Sequence, residues 1–153
     1  MATTVTTRIE IEAPIALCFA MASDIGVHTR TVWRHTREKA VAGVTDGPIK
    51  GGETVTFEAT HFGIRQRLTS LISEYDSPNR FVDETLKGAF KSLRHIHEFE
   101  QIGNITVMTD TLHFEAPFGL LGRIVEVLIL KRYMRRFLEH RNKQLKKLIL
   151  EKL

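Results

Sequence analysis

Apolar and polar positions alternate through most of the first 115 residues, and then the period changes. In residues 3–12, Val5, Thr7, Ile9 and Ile11 share one face while Thr6, Arg8, Glu10 and Glu12 share the other, the pattern of a half-buried strand. Six more strands are predicted: Glu38–Val44, Glu53–His61, Ile64–Tyr75, Phe81–Leu86, Phe90–Ile102 and Ile105–Glu115. Turn chemistry separates them at Thr45–Gly52, Gly63, Asp76-Ser77-Pro78-Asn79, Gly88 and Gly103-Asn104, so neighbouring strands run antiparallel. Between the first and second strands, Pro14 opens a helix, and Ser23 or Asp24 can cap a second short one that carries His28 and ends near Trp33.

From about Gly119 to Leu153 the spacing becomes three and four. Leu121, Ile124, Val125, Leu128, Met134, Phe137, Leu138, Leu145, Leu148 and Ile149 form one stripe of a long amphipathic helix. A single long helix after a run of strands must bury its stripe against their sheet. The predicted architecture is therefore α+β, a single domain over residues 1–153. It is a curved seven-stranded antiparallel sheet around a C-terminal helix, with two short helices after the first strand.

Charge changes this picture only at the C-terminus. Residues 119–153 hold ten Lys or Arg against three acids, a net +7, and residues 1–118 hold 12 against 15, a net −3. Lys131, Arg132, Arg135, Arg136, Arg141, Lys143, Lys146 and Lys147 read first as a solvated outer face. They also leave a membrane surface, nucleic acid or the ribosome as possible partners. The single cysteine, Cys18, cannot form an internal disulfide and reads as a small buried residue in a reducing cytoplasm. Arg8, Glu10 and Glu12 stand where a secretion signal needs an apolar core, and no run is long enough to span a bilayer, so a cytoplasmic protein is expected.

Candidate chemistry lies on two strands. His95, His97 and Phe99 share a face at spacing two, and Met108, Asp110, Leu112 and Phe114 share a face on the last strand. Their apolar company points both sets inward, where Asp110 and one histidine can be cross-strand neighbours. An imidazole beside a buried carboxylate can act as an acid/base pair, anchor a ligand, or serve only to set register in the core. The spacing also permits a zinc site from His95, His97 and Asp110 or His61, but no metal and no cofactor is assigned on that basis. No Ser/His/Asp or Cys/His arrangement can be argued.

Local strings add a resemblance. Ile11-Glu12-Ala13-Pro14, Phe19 and Asp24-Ile25 resemble the opening strand and first helix of the START-like superfamily of helix-grip proteins, also termed SRPBCC or polyketide cyclase/dehydrase-like. His61-Phe62-Gly63, Arg80-Phe81-Val82-Asp83, Gly88-Ala89-Phe90, His95-x-His97-x-Phe99-Glu100, Asp110 and Ala116-Pro117-x-Gly119-x-x-Gly122 resemble a bacterial subgroup of it. The resemblance implies an elongated apolar cavity between sheet and helix. Relatives use that cavity for lipids, sterols, quinones, plant hormones or polyketides, and it transfers no catalytic residue.

Three functions follow as expectations. The first is a binding or carrier protein for an apolar, lipid-like small molecule. Trp33, Val55, Phe57, His61, Leu68, Phe99, Met108, Leu112 and Leu128 would line its cavity, with His95, His97 and Asp110 as polar anchors. The second is a cyclase- or dehydratase-like enzyme using His97 and Asp110. The third is an interaction module acting through the basic helix. Oligomeric state and the inward faces of the fourth and fifth strands are left open, because one bulge exchanges the faces of a strand.

Overall fold

The computed structural model describes residues 2–153. Seven strands form one antiparallel sheet: β1 (Thr3–Ile11), β2 (Lys39–Gly43), β3 (Thr54–His61), β4 (Ile64–Asp76), β5 (Arg80–Lys87), β6 (Ser92–Ile102) and β7 (Ile105–Glu115). The spatial order is β1-β7-β6-β5-β4-β3-β2, so consecutive strands from β2 to β7 are neighbours, and β1 returns to pair with β7. Among the described residues, four α-helices and a 3-10 turn at Arg34–Thr36 accompany the sheet. The α-helices are α1 (Ile15–Ala22), α2 (Ile25–Thr31), α3 (Gly119–Val125) and α4 (Lys131–Glu151), the last two joined by a π-helical turn at Glu126–Leu130.

Local chemistry explains the joints. Pro14 precedes α1 with extended backbone, and the Asp24 carboxylate caps α2 by accepting from the Val27 amide at 3.0 Å. The β3–β4 hairpin closes through Phe62 and Gly63, both at positive φ, which matches the twist of the flanking strands. At Gly122 a Cβ would lie 1.9 Å from the Pro117 carbonyl oxygen, so only glycine lets α3 fold back this tightly on the end of β7.

The core fills the concave side of the sheet unevenly. Phe19 of α1 meets Tyr75, Phe81 and Phe99 edge-on at 5.3–5.5 Å, and Met108, Leu145 and Ile149 complete this packed end. A smaller cluster of Val5, Leu93, Leu112, Phe114 and Leu138 lies further along α4. Beyond it the helix stands off the sheet.

Three expectations need correction. The C-terminal helix is unbroken from Gly119 to Glu151 but not uniformly α, because the ladder widens to a π turn where Glu126 is drawn onto β1 and the end of β7. Its apolar stripe is not wholly buried: Leu121 is exposed at the edge of a cavity that lies beneath this half, and Ile124 and Leu128, with Leu120, Val127 and Ile129, are exposed outside the cavity lining. Nor are all the helix cations solvated. Arg141 is only 2% exposed, since it falls between Leu138 and Leu145 on the packed face. No helix among the described residues is long and apolar enough to cross a membrane.

The faces left open by the sequence are now assigned. On β4, Gln66, Leu68, Ser70 and Ile72 look inward; on β5, Phe81 and Asp83 do. Ser73 is then an extra residue in the β4–β5 pairing, which turns Tyr75 inward to meet Phe19.

Candidate functional site

Between the concave face and the helix lies a cavity of about 670 Å³. This is within the range of small-molecule sites. Val55, Phe57, Ala59, Leu68, Ile72, Phe81, Leu93 and Leu112 supply apolar wall on the sheet side, and Ile25 of α2 and Ile49 of the β2–β3 loop add to it. Val125, Leu130, Met134, Phe137 and Leu138 supply it on the helix side. Phe62 and Ile64 at the β3–β4 turn and Phe118 and Leu121 at the start of α3 line the cavity while being exposed, which places its mouth between these two elements.

One wall carries a charged cluster whose placement follows from strand register. His95 and His97 alternate inward on β6. Asp83 is opposite His95 on β5, and Asp110 is opposite His97 on β7. The two imidazoles stack at a ring separation of 3.7 Å. His95 Nε2 lies 2.8 Å from Asp110 Oδ1, and His97 Nδ1 lies 3.2 Å from the same oxygen, in ion-pair range but poorly aligned for a hydrogen bond. On their other edge, His97 Nε2 is 2.7 Å and His95 Nδ1 is 4.0 Å from Asp83 Oδ2. From α4, Asn142 Nδ2 donates to Asp110 Oδ2 at 2.9 Å, and Arg141 approaches Asp110 Oδ1 at 3.6 Å. Asn142 also reaches the Thr7 hydroxyl at 3.2 Å, tying α4 to β1.

Two carboxylates in an apolar interior need compensation. Burial alone would raise Asp110, but the Arg141 guanidinium and the two histidines hold it well below the usual carboxylate range. Burial likewise opposes charge on His97, and the flanking Asp110 and Asp83 carboxylates overcome it and raise its pKa. Burial and the neighbouring His97 push His95 down. The cluster therefore carries two acids, one guanidinium and one readily protonated imidazole.

A second polar set lines the cavity toward β2 and β3. His28 Nε2 lies 3.1 Å from Glu38 Oε2, and His61 Nδ1 pairs with the Tyr133 hydroxyl at 2.6 Å. Burial pushes His61 down.

Among the residues named from sequence, Val55, Phe57, His61, Leu68, His95, His97 and Leu112 line the cavity. Phe99 and Met108 lie beneath α1 in the packed end, away from it. Trp33 packs on Tyr133 and Phe137 from outside the lining, at ring separations of 5.3 and 5.4 Å. Leu128 is 70% exposed on the outer side of the π turn. Asp110 is wholly buried behind the histidines and does not reach the cavity, so the carboxylate facing it beside His97 is Asp83. Cys18 is buried, and burial pushes its thiol up.

Sequence reasoning missed three members of the cluster as site residues. Asp83 shares a face with Phe81 by spacing two, but the β4–β5 pairing carries register shifts, so spacing alone leaves open which face of β5 looks inward. Arg141 and Asn142 sit in the interval of the stripe between Leu138 and Leu145, and their polarity hid them.

Comparison with known proteins bears on the fold and the family. The crystal structure of TTHA0849 from Thermus thermophilus superposes with a TM-score of 0.75 at 21% identity, covering 97% of this chain and 98% of that one. A START superfamily protein from Mycobacterium smegmatis gives 0.74 at 15% identity, covering 98% and 99%. Major latex-like protein 151 from Panax ginseng gives 0.69 at 13%, covering 95% and 96%. At these identities the likeness is one of fold. No curated protein matches the chain in sequence. A family model described as polyketide cyclase / dehydrase and lipid transport matches residues 2–149, and with the helix-grip sheet it establishes that the chain belongs to that family.

Proposed function

We propose that the protein binds one largely apolar small molecule in the cavity between sheet and helix and holds an oxygen-bearing end of it at the charged cluster. The observation that carries this reading is an apolar cavity of about 670 Å³ whose wall holds Arg141, His97 and Asp83 together. Apolar walls supply affinity without direction, and a few convergent polar groups supply orientation. A ligand carbonyl or carboxylate oxygen can accept from the Arg141 guanidinium, which lines the cavity while paired to Asp110.

The test is native mass spectrometry and organic extraction of protein purified from its own host, followed by titration with a fluorescent fatty acid. A co-purifying apolar molecule, and probe binding that is lost when Ala59→Phe fills the cavity but kept when exposed Leu128→Ala is made, are the expected results. Binding indifferent to Ala59→Phe in a folded protein refutes the reading.

A cyclase- or dehydratase-like activity has one specific observation in its favour. His97 and Asp83 both line the cavity and lie 2.7 Å apart, a distance at which a proton can pass between them beside a bound substrate. In this reading Asp110 orients His97 instead of meeting substrate. Turnover of a poly-β-ketone substrate should then be abolished by His97→Gln while the substrate still binds; turnover surviving that change sinks it.

A further inference from the structure

The charged cluster has a geometry that a ligand anchor alone does not require. Its two histidines present matched edges: the nitrogens of one edge face the buried Asp110, and the nitrogens of the other face Asp83 at the cavity wall. One ligand atom each from Asp83, His95 and His97 lies within 4.8 Å of the others. Metal–ligand distances of about 2.0–2.1 Å put tetrahedral ligand atoms about 3.3 Å apart. The separations of 2.7 Å and 4.0 Å from Asp83 Oδ2 to His97 Nε2 and His95 Nδ1 bracket that value. Small side-chain rotations would equalise them.

Asp110 supplies what such a site needs behind the ligands. A metal-bound histidine usually gives its remaining N–H to a carboxylate, which fixes ring orientation and leaves the lone pair on the other nitrogen. Here one wholly buried carboxylate faces both rings, and it is itself held by Asn142 at 2.9 Å and Arg141 at 3.6 Å. Charge also fits. Asp83 and Asp110 bring two negative charges against the one positive charge of Arg141, and the second positive charge is supplied either by a proton on His97 or by a bound cation.

We propose that Asp83, His95 and His97 bind a single first-row divalent transition metal ion, with its open coordination positions facing the apolar cavity. Two imidazoles and one carboxylate suit zinc, iron(II), cobalt(II) or manganese(II) far better than calcium or magnesium, which prefer all-oxygen sets. Such an ion would meet the oxygen-bearing end of a cavity ligand directly. The rival occupant of the same gap is a proton shared by His97 and Asp83, and the two are separable by experiment.

The full chain, stripped with a chelator, would be titrated with cobalt(II) and followed by visible absorption, then back-titrated with zinc. The expected result is one cobalt per chain, with the ligand-field band of a four- or five-coordinate ion that zinc displaces. Asp83→Ala and His95→Ala should abolish the band, Asp110→Asn should weaken binding ~10–100-fold, and His61→Ala should leave it unchanged. Should His95→Ala fail to fold, Asp83→Asn decides, because it preserves shape at a cavity-lining position while replacing the anionic ligand. No band, a band indifferent to Asp83 and His95, or one equally lost in His61→Ala overturns the proposal. Fluorescent fatty-acid binding measured on the same metal-free samples separates this inference from the cavity reading. Probe binding without a cobalt band refutes only the metal site, and a cobalt band without probe binding refutes only the apolar ligand.

Discussion

The two halves of the C-terminal helix carry the same kind of amphipathic pattern and do opposite things with it. In the second half, Leu138, Leu145 and Ile149 are buried against the sheet and α1, and Arg141 and Asn142 are buried with them to meet Asp110. In the first half, Leu121, Ile124 and Leu128 are exposed, and Val125, Leu130 and Met134 cover a cavity instead of a packed core. An apolar stripe thus marks the face turned toward the sheet without saying whether protein fills the gap. Where the gap is filled, burial stabilises the fold. Where it is not, Leu121, Val125, Leu130 and Met134 become the wall and mouth of a cavity, the site proposed above for an apolar ligand.

If the halves differ as described, removing contacts from the second should hurt stability most. Asp110→Ala leaves Arg141 and the histidines buried without their shared carboxylate and should cost about 3–5 kcal/mol, read from urea unfolding. An unchanged midpoint would mean that the network contributes nothing to holding the helix down. Leu145→Ala should follow at about 2–5 kcal/mol through the cavity it opens in the packed end.

Glu126 lies at the boundary between the halves. It accepts from the Thr3 hydroxyl at 2.9 Å, from Arg123 at 3.1 Å and from the Ala116 amide. Burial by itself would raise its pKa, and these donors outweigh it and leave the carboxyl below its ordinary value. A depressed folded pKa stabilises above the unfolded value and ceases to do so as pH falls through the folded one. Glu126→Gln should therefore cost about 1–2 kcal/mol at neutral pH, and the difference from the parent protein should shrink on acidification below the usual glutamate range. A difference that does not vary with pH would show that the charge is immaterial. The smallest effect belongs to the first half. Leu128→Ala should change stability by no more than about 0.5 kcal/mol, and a loss comparable to that of Leu145→Ala would mean that this half is packed after all.

Much of the fold was legible in the sequence because its signals are local. Strand alternation, the turn residues and Pro14 depend on near neighbours, and the observed boundaries of β1, β3, β4 and β7 fall close to the predicted ones. The inward direction of His95, His97 and Asp110 followed from parity alone, since no bulge interrupts β6 or β7. Asp83 lies on the fifth strand, where bulges in the β4–β5 pairing leave parity undecided, and it carried weight only in a family string. Arg141 and Asn142 were obscured because a basic residue on a helix is ordinarily solvated, and only a buried acid across the interior makes its burial tolerable.

By itself, then, the sequence determined the order and direction of the elements, the face His95 and His97 would take and the existence of a stripe on the last helix. Each of these depends on spacing along the chain and on turn chemistry. Tertiary structure decided which part of the stripe is core and which is cavity wall, and the β4 bulge that turns Tyr75 inward. It also put Asp83 in front of the histidines and Asp110 behind them. Those outcomes depend on how far a curved sheet stands from its helix and on which buried charges can reach one another across it, distances that no periodicity encodes.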